Sequence, residues 1–142
     1  MSDNHELTRR DFLKTASVAS AATLAGAMSG TGGLFAAGSD TIRIGVIGCG
    51  GRGTGAAVNA VESSPGVEIV ALYDPFRDRI ESSLKTLREK VPAALKVKPE
   101  RCFTGLDGYK KLLEIGDINY IVTAAPPGFR PLHLKASIEA GK

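Results

Sequence analysis

Residues 41–47 (TIRIGVI) run without a break into Gly48-Cys49-Gly50-Gly51-Arg52-Gly53 and then Thr54-Gly55-Ala56-Ala57. The first stretch is apolar, β-branched and of strand length, so it reads as a buried strand. Glycines at 48, 50 and 53 complete a G-x-G-x-x-G pattern, and the small residues from Thr54 onward open a helix. Gly48 allows a tight turn, Gly50 lets backbone come close to a pyrophosphate, and Gly53 lets the helix lie against the strand. A helix N-terminus placed there can receive negative charge. Strand, glycine turn and helix thus follow in the order a dinucleotide site requires. A plain strand-to-helix connection would carry similar glycines, so the neighbouring residues must decide.

Val67–Tyr73 (VEIVALY) is a second apolar run, and it ends at Asp74, close to the spacing of about 20 residues at which an acid meets the adenine ribose. A carboxylate at that strand end can accept hydrogen bonds from both ribose hydroxyls. It would repel a 2′-phosphate, which favours NAD over NADP, although Arg77 and Arg79 follow closely. The alternative is that Asp74 caps the next helix, with Pro75 in its first turn.

Further along, Ile80, Leu84, Leu87 and Val91 recur at helical spacing over 77–91, with charged residues on the opposite face. Pro92 and Pro99 bracket a polar connection. A short strand is expected over 101–104, a short helix over 109–115, and a fourth strand over 118–125, stopped by Pro126-Pro127. The last helix spans 132–140, with Pro131 at its start and Gly141 as its cap. This alternation predicts an α/β fold, a doubly wound parallel sheet of the Rossmann type with strand order third, second, first, fourth. The sheet would be incomplete at its C-terminal end, leaving an apolar edge unpaired beyond its fourth strand. The glycine turn, Asp74 and Ala125-Pro126-Pro127 all fall at strand C-termini, where ligands of such sheets bind.

The chain has 142 residues, 43% hydrophobic and 23% charged, with a formal net charge of +3. No basic tract with interleaved aromatics lies in 41–142, so nucleic acid is not an expected partner. Cys49 and Cys102 are expected on different strands as small buried residues rather than as a disulfide. Two Cys and two His provide no metal-ligand spacing. Residues 1–40 are built differently. Thr8-Arg9-Arg10-Asp11-Phe12-Leu13-Lys14 precedes a run rich in Ala, Ser, Gly and Thr and closely resembles a twin-arginine export signal. The division expected is 1–40 leader and linker, 41–142 dinucleotide-binding domain. Ala25-Gly26-Ala27 is a small-x-small cleavage candidate, and Leu34-Phe35-Ala36-Ala37 a poorer one. The expected destination is periplasmic or extracellular, or membrane-tethered if the leader stays uncut.

From Ile42 through Gly53, over Val70 to Asp74, and from Ala125-Pro126-Pro127 through His133 to Ala140-Gly141-Lys142, the chain resembles the Gfo/Idh/MocA oxidoreductases. The resemblance implies the nicotinamide-cofactor part of an exported enzyme acting on a sugar, polyol or related carbohydrate. Gly48, Cys49, Gly50, Gly51, Arg52 and Gly53 would line the pyrophosphate, Asp74 the adenine ribose, and Ala125, Pro126 and Pro127 the nicotinamide ribose. Ala125 lacks the hydroxyl usual there, Arg130 stands where a histidine is common, and His133 is a candidate substitute or a structural residue. The family's Glu-Lys-Pro motif follows its Gly-Lys pair, so Lys142 is not the family's active-site lysine. Catalytic residues and the substrate domain are expected outside residues 1–142, and the full-length protein is expected to be a homo-oligomer. Because free nicotinamide cofactor is scarce outside the cytoplasm, the cofactor would be loaded before export and retained. Two chemistries fit: oxidising one sugar while reducing another, or the oxidation, elimination and re-reduction cycle of the family's hydrolase branch. A non-catalytic binding protein is an alternative. So is a methyltransferase, against which Val46-Ile47 stands where an acid usually leads into the glycine loop.

Overall fold

The computed structural model describes residues 41–142. Four strands, β1 (Ile42–Ile47), β2 (Val67–Tyr73), β3 (Cys102–Phe103) and β4 (Tyr120–Thr123), alternate with helices α1 (Gly51–Ser63), α2 (Arg77–Lys90), α3 (Gly108–Leu113) and α4 (Arg130–Glu139). All pairings are parallel and the order is β3-β2-β1-β4, as expected from the sequence. Parallel pairing requires crossovers, which α1, α2 and α3 supply, while α4 follows the last strand.

Helices cover both faces of the sheet. Ile44, Val46, Ile69 and Leu72 pack with Ala57, Val58, Ile80 and Leu87 of α1 and α2. Ile47, Val70, Ala71 and Tyr73 pack with Tyr109, Leu112 and Leu113 of α3. Val70 and Ala71 are adjacent in sequence yet belong to the same side. The cause is a register shift: Ile44 faces Ile69 and Gly45 faces Ala71, which leaves Val70 as an extra residue, a bulge that interrupts the period of two.

Several boundaries differ from expectation. Helix α1 begins at Gly51 rather than Thr54, so Gly51, Arg52 and Gly53 are its first turn. β3 is two residues long, preceded by a 3-10 turn at Pro99–Arg101, and β4 ends at Thr123. Cys49 lies in the turn after β1, not on a strand. The connection between Pro92 and Pro99 is not merely polar. Ala94, Leu95 and Val97 pack on the core, the Ile69 N–H donates to the Ala94 carbonyl at 2.9 Å, and the Lys96 N–H donates to the Ile69 carbonyl at 2.8 Å. This single parallel bridge covers the edge of β2 that the short β3 leaves bare.

Helix α4 closes as its sequence indicates. Gly141 takes φ +69°, its N–H donates to Ile138, and the Lys142 N–H donates to Ser137, both at 3.0 Å, a Schellman arrangement.

Candidate functional site at the carboxyl ends of the strands

The site begins with the turn between β1 and α1. Gly48 has φ +98°, which a residue with a Cβ adopts only under strain, and the main chain of Ala124 and Ala125 lies 3.0–3.2 Å from where its Cβ would stand. Gly53 is tighter: a Cβ there would meet the Gly48 carbonyl oxygen at 1.8 Å. The contact that presses α1 against β1 is therefore with the turn's own backbone. Gly50 differs, because only Arg79 Nη1, at 3.8 Å, lies within reach of a Cβ on it.

Helix α1 has 13 residues, Gly50 at its N-cap, no side-chain cap and no acid in its first turn. The Thr54 N–H donates to the Gly50 carbonyl. For the N–H groups of Gly51, Arg52 and Gly53 there is no acceptor among the described residues. A first turn carries such orphan donors by construction, and here nothing in the described chain satisfies them.

Asp74 is tied to this turn. It is 3% exposed, its Oδ2 accepts the Cys49 N–H at 2.9 Å, and its Oδ1 accepts the Phe76 N–H at 3.1 Å. It does not cap α2, whose N-cap is Phe76 and which has no side-chain cap bond. Each oxygen retains a lone pair, since an ionised carboxylate has about four acceptor positions. The Cys49 N–H is consumed by this bond, and its thiol packs toward the Tyr73 carbonyl. Burial, followed by the charge of Asp74, pushes the thiol up to about 12, so Cys49 is neutral and unreactive at physiological pH. Cys49 and Cys102 are both free.

A cleft of about 510 Å³ opens beside the turn and brings together Gly48, Asp74, Arg79, Ala125, Pro126 and His133. Phe76, Leu106, Phe129 and Leu132, all about half exposed or more, form its apolar rim. Cys49, Gly50 and Gly51 line an adjoining groove against α2, which Arg79 also borders. Arg52 lines a separate groove between α1 and β4, and Pro127 lines none of these. No group of three or more possible metal ligands occurs among the described residues.

Comparison with known proteins agrees with this architecture. Residues 6–26 match the family model of the TAT (twin-arginine translocation) pathway signal sequence. A glycosyl hydrolase family 109 protein of Streptomyces niveus is 34% identical over 104 residues, 72% of this chain and 20% of that protein. A myo-inositol dehydrogenase of Lactobacillus casei, solved with NAD(H) and myo-inositol, superposes with a TM-score of 0.57 at 19% identity, covering 70% of this chain and 26% of that one. A 3-ketoreductase of Actinomadura kijaniata, solved with NADP and TDP-benzene, gives 0.54 at 24% identity over 72% of this chain and 27% of that one. The chain is a Gfo/Idh/MocA-type Rossmann protein behind a twin-arginine signal. It spans 16–31% of the length of the curated relatives it matches. Arg9, Arg10, Phe12, Leu13, Lys14, His5 and both cleavage candidates lie outside the described residues.

Three side chains of this Gfo/Idh/MocA domain have roles that spacing alone did not disclose. Arg130 Nε donates to the Ala125 carbonyl at 2.9 Å, holding the turn after β4. Lys142 Nζ donates to the carbonyls of Ile115 and Ile118 at 3.0 and 2.7 Å, fastening the loop between α3 and β4. The Thr54 hydroxyl bonds the buried Ser83 hydroxyl at 2.9 Å, linking α1 to α2. Hydrophobic periodicity carries no signal of such polar partners.

His133 is buried, 4% exposed, against Tyr109, Tyr73 and Phe129, with ring centroids at 4.7, 5.9 and 6.3 Å. Its Nδ1 has no hydrogen-bond partner, and burial holds its pKa below the usual histidine range. The unfolded chain therefore takes up a proton near pH 6.5 that the folded domain resists, so stability falls as pH drops below that value. Urea midpoints at pH 7.5 and pH 5 should differ less in His133→Phe than in the parent. An unchanged pH dependence in the variant would remove His133 as a source of this acid sensitivity.

Proposed function

We propose that residues 41–142 hold a nicotinamide dinucleotide, as the cofactor-binding part of an exported oxidoreductase acting on a sugar, polyol or related carbohydrate. The observation that carries this reading is the start of α1, where three N–H groups without acceptors lie beside an Asp74 carboxylate bonded to the same turn. Such a terminus suits a pyrophosphate. In this reading Gly48, Cys49, Gly50, Gly51, Arg52 and Gly53 form the phosphate turn, Asp74 takes the adenine ribose, and Ala125, Pro126 and Pro127 border the nicotinamide ribose. Because Arg52 borders a different groove from Gly50, it adds at most peripheral charge. The apolar rim of Phe76, Leu106, Phe129 and Leu132 suits the flat face of a base. When bound, the cofactor supplies the hydride chemistry, while the chain orients it and sets its surroundings.

NAD(H) is the favoured cofactor, because a buried Asp74 carboxylate opposes a 2′-phosphate and suits a free diol. Titrating the full-length protein with both cofactors tests this, and tighter binding of NADP(H) would reverse the assignment. Asp74→Ser should weaken NAD(H) by about 1.5 to 3 kcal/mol, roughly 10- to 150-fold, the worth of hydrogen bonds to a charged group.

Residues 1–40 serve in this reading as leader and linker, 41–142 as the dinucleotide domain of a homo-oligomer, and the periplasm or exterior as the destination. A second reading is favoured by the relatives named glycosyl hydrolase family 109: glycoside cleavage by oxidation, elimination and re-reduction, with no net redox change. Assaying the full-length protein for net cofactor turnover against glycoside cleavage separates the two.

A further inference from the structure

We infer that Thr54 and Ser83 are positioning residues for the glycine turn: their buried hydroxyl pair sets the plane of the peptide between Cys49 and Gly50, and with it the direction of the Gly50 N–H. This role depends on the nucleotide reading above and adds to it two side chains, from α1 and α2, that act without touching the ligand. Thr54 and Ser83 are both buried, and their hydroxyl oxygens lie 2.9 Å apart. The Thr54 oxygen also lies 3.4 Å from the Cys49 carbonyl oxygen. A carbonyl only accepts, and each hydroxyl has one proton to give. The arrangement that satisfies all three groups therefore runs one way, with Ser83 donating to Thr54 and Thr54 to the Cys49 carbonyl.

Ser83 stands on the buried face of α2 with Ile80 and Leu87, where the helical period calls for an apolar side chain. A hydroxyl left alone there would be costly, and Thr54 is the partner that α1 supplies. Cys49 is held at its other polar groups as well, its N–H by Asp74 Oδ2 at 2.9 Å and its thiol by the Tyr73 carbonyl at 3.5 Å. The following glycine tolerates either orientation of the peptide before it, so the plane needs a hold from outside the turn. In a trans peptide the N–H points opposite the carbonyl. A Cys49 carbonyl drawn to Thr54 therefore leaves the Gly50 N–H facing away from that buried contact. This N–H has no acceptor among the described residues. It joins those of Gly51, Arg52 and Gly53 as the fourth free donor of the helix start, and it is the one whose direction the hydroxyl pair controls.

Full-length wild type, Thr54→Val, Thr54→Ser and Ser83→Ala are titrated with NADH and with NADPH, following cofactor fluorescence, and melted under circular dichroism. For whichever cofactor the wild type binds, a loss of about tenfold is expected in Thr54→Val, which keeps the side-chain shape and removes the hydroxyl, and of about threefold or more in Ser83→Ala. Thr54→Ser, which keeps the hydroxyl, should stay within about twofold of wild type. Wild-type affinity of folded Thr54→Val or of Ser83→Ala overturns the inference, whatever the melting midpoint does, and leaves the pair as a fastening between helices. A loss in Thr54→Ser as large as that in Thr54→Val also overturns it, since the methyl group would then be what matters. Should Thr54→Val fail to fold, the milder Ser83→Ala decides alone by the same criterion. Failure of the wild type to bind either cofactor removes the nucleotide reading itself.

Discussion

Gly50→Val is expected to lose dinucleotide binding while the domain keeps its stability, and Gly53→Val to damage the packing of α1 on β1 and lose stability. The two glycines are three residues apart in one motif, yet their surroundings differ sharply. Gly50 has φ −70° and ψ −179°, a conformation open to any residue, and a Cβ there meets nothing nearer than the flexible Arg79 side chain at 3.8 Å. A valine therefore costs the folded state little. It places a branched side chain where a phosphate must approach backbone, and the expected loss is on the order of 100-fold or more in affinity, roughly 2.7 kcal/mol.

At Gly53 a Cβ would stand 1.8 Å from the Gly48 carbonyl oxygen and 3.3 Å from the Ala124 Cβ. Relief requires moving α1 off the end of β1, which opens the core formed by Ala57, Val58, Ile44 and Val46. Overpacking against backbone belongs at the upper end of the usual range, about 3 kcal/mol. For a domain of about 100 residues this lowers the melting midpoint by more than roughly 10 °C. Circular dichroism melts and cofactor titration of both variants distinguish the effects. Normal cofactor binding by Gly50→Val would reduce the glycine turn to a structural connection.

Replacing Arg9 and Arg10 together by lysine should leave the protein in the cytoplasm. Residues 6–26 match the twin-arginine signal, and the swap preserves charge and helical tendency while removing the guanidinium forks. An export receptor that reads planar, multidentate donors loses its contact, whereas a generic basic segment would tolerate lysine. Fractionating cells that express the two forms should show nearly complete retention of the double-lysine form. Equal export of both would separate the chain from that route and remove the reason to expect a cofactor loaded before transport.

The sequence alone determined the parts of this protein that depend on neighbours along the chain. The apolar runs of β1 and β2, the glycine spacing between them, the period of Ile80, Leu84 and Leu87, and the Gly141 cap are local patterns, and their alternation forces a parallel sheet with crossovers. The placement of the glycine turn, Asp74 and Ala125 at one end of that sheet follows from the topology. Tertiary structure decided whatever depends on partners distant in sequence. Asp74 could have capped α2. It instead accepts the N–H of Cys49, 25 residues away, because the parallel pairing of β1 with β2 brings the two strand ends side by side. The bulge at Val70, the pairing of Leu95 with Ile69, the burial of His133 among aromatics and the anchoring of Lys142 arise in the same way. Each is a choice among several physically acceptable partners, and only the packed chain, by closing some distances and not others, makes it.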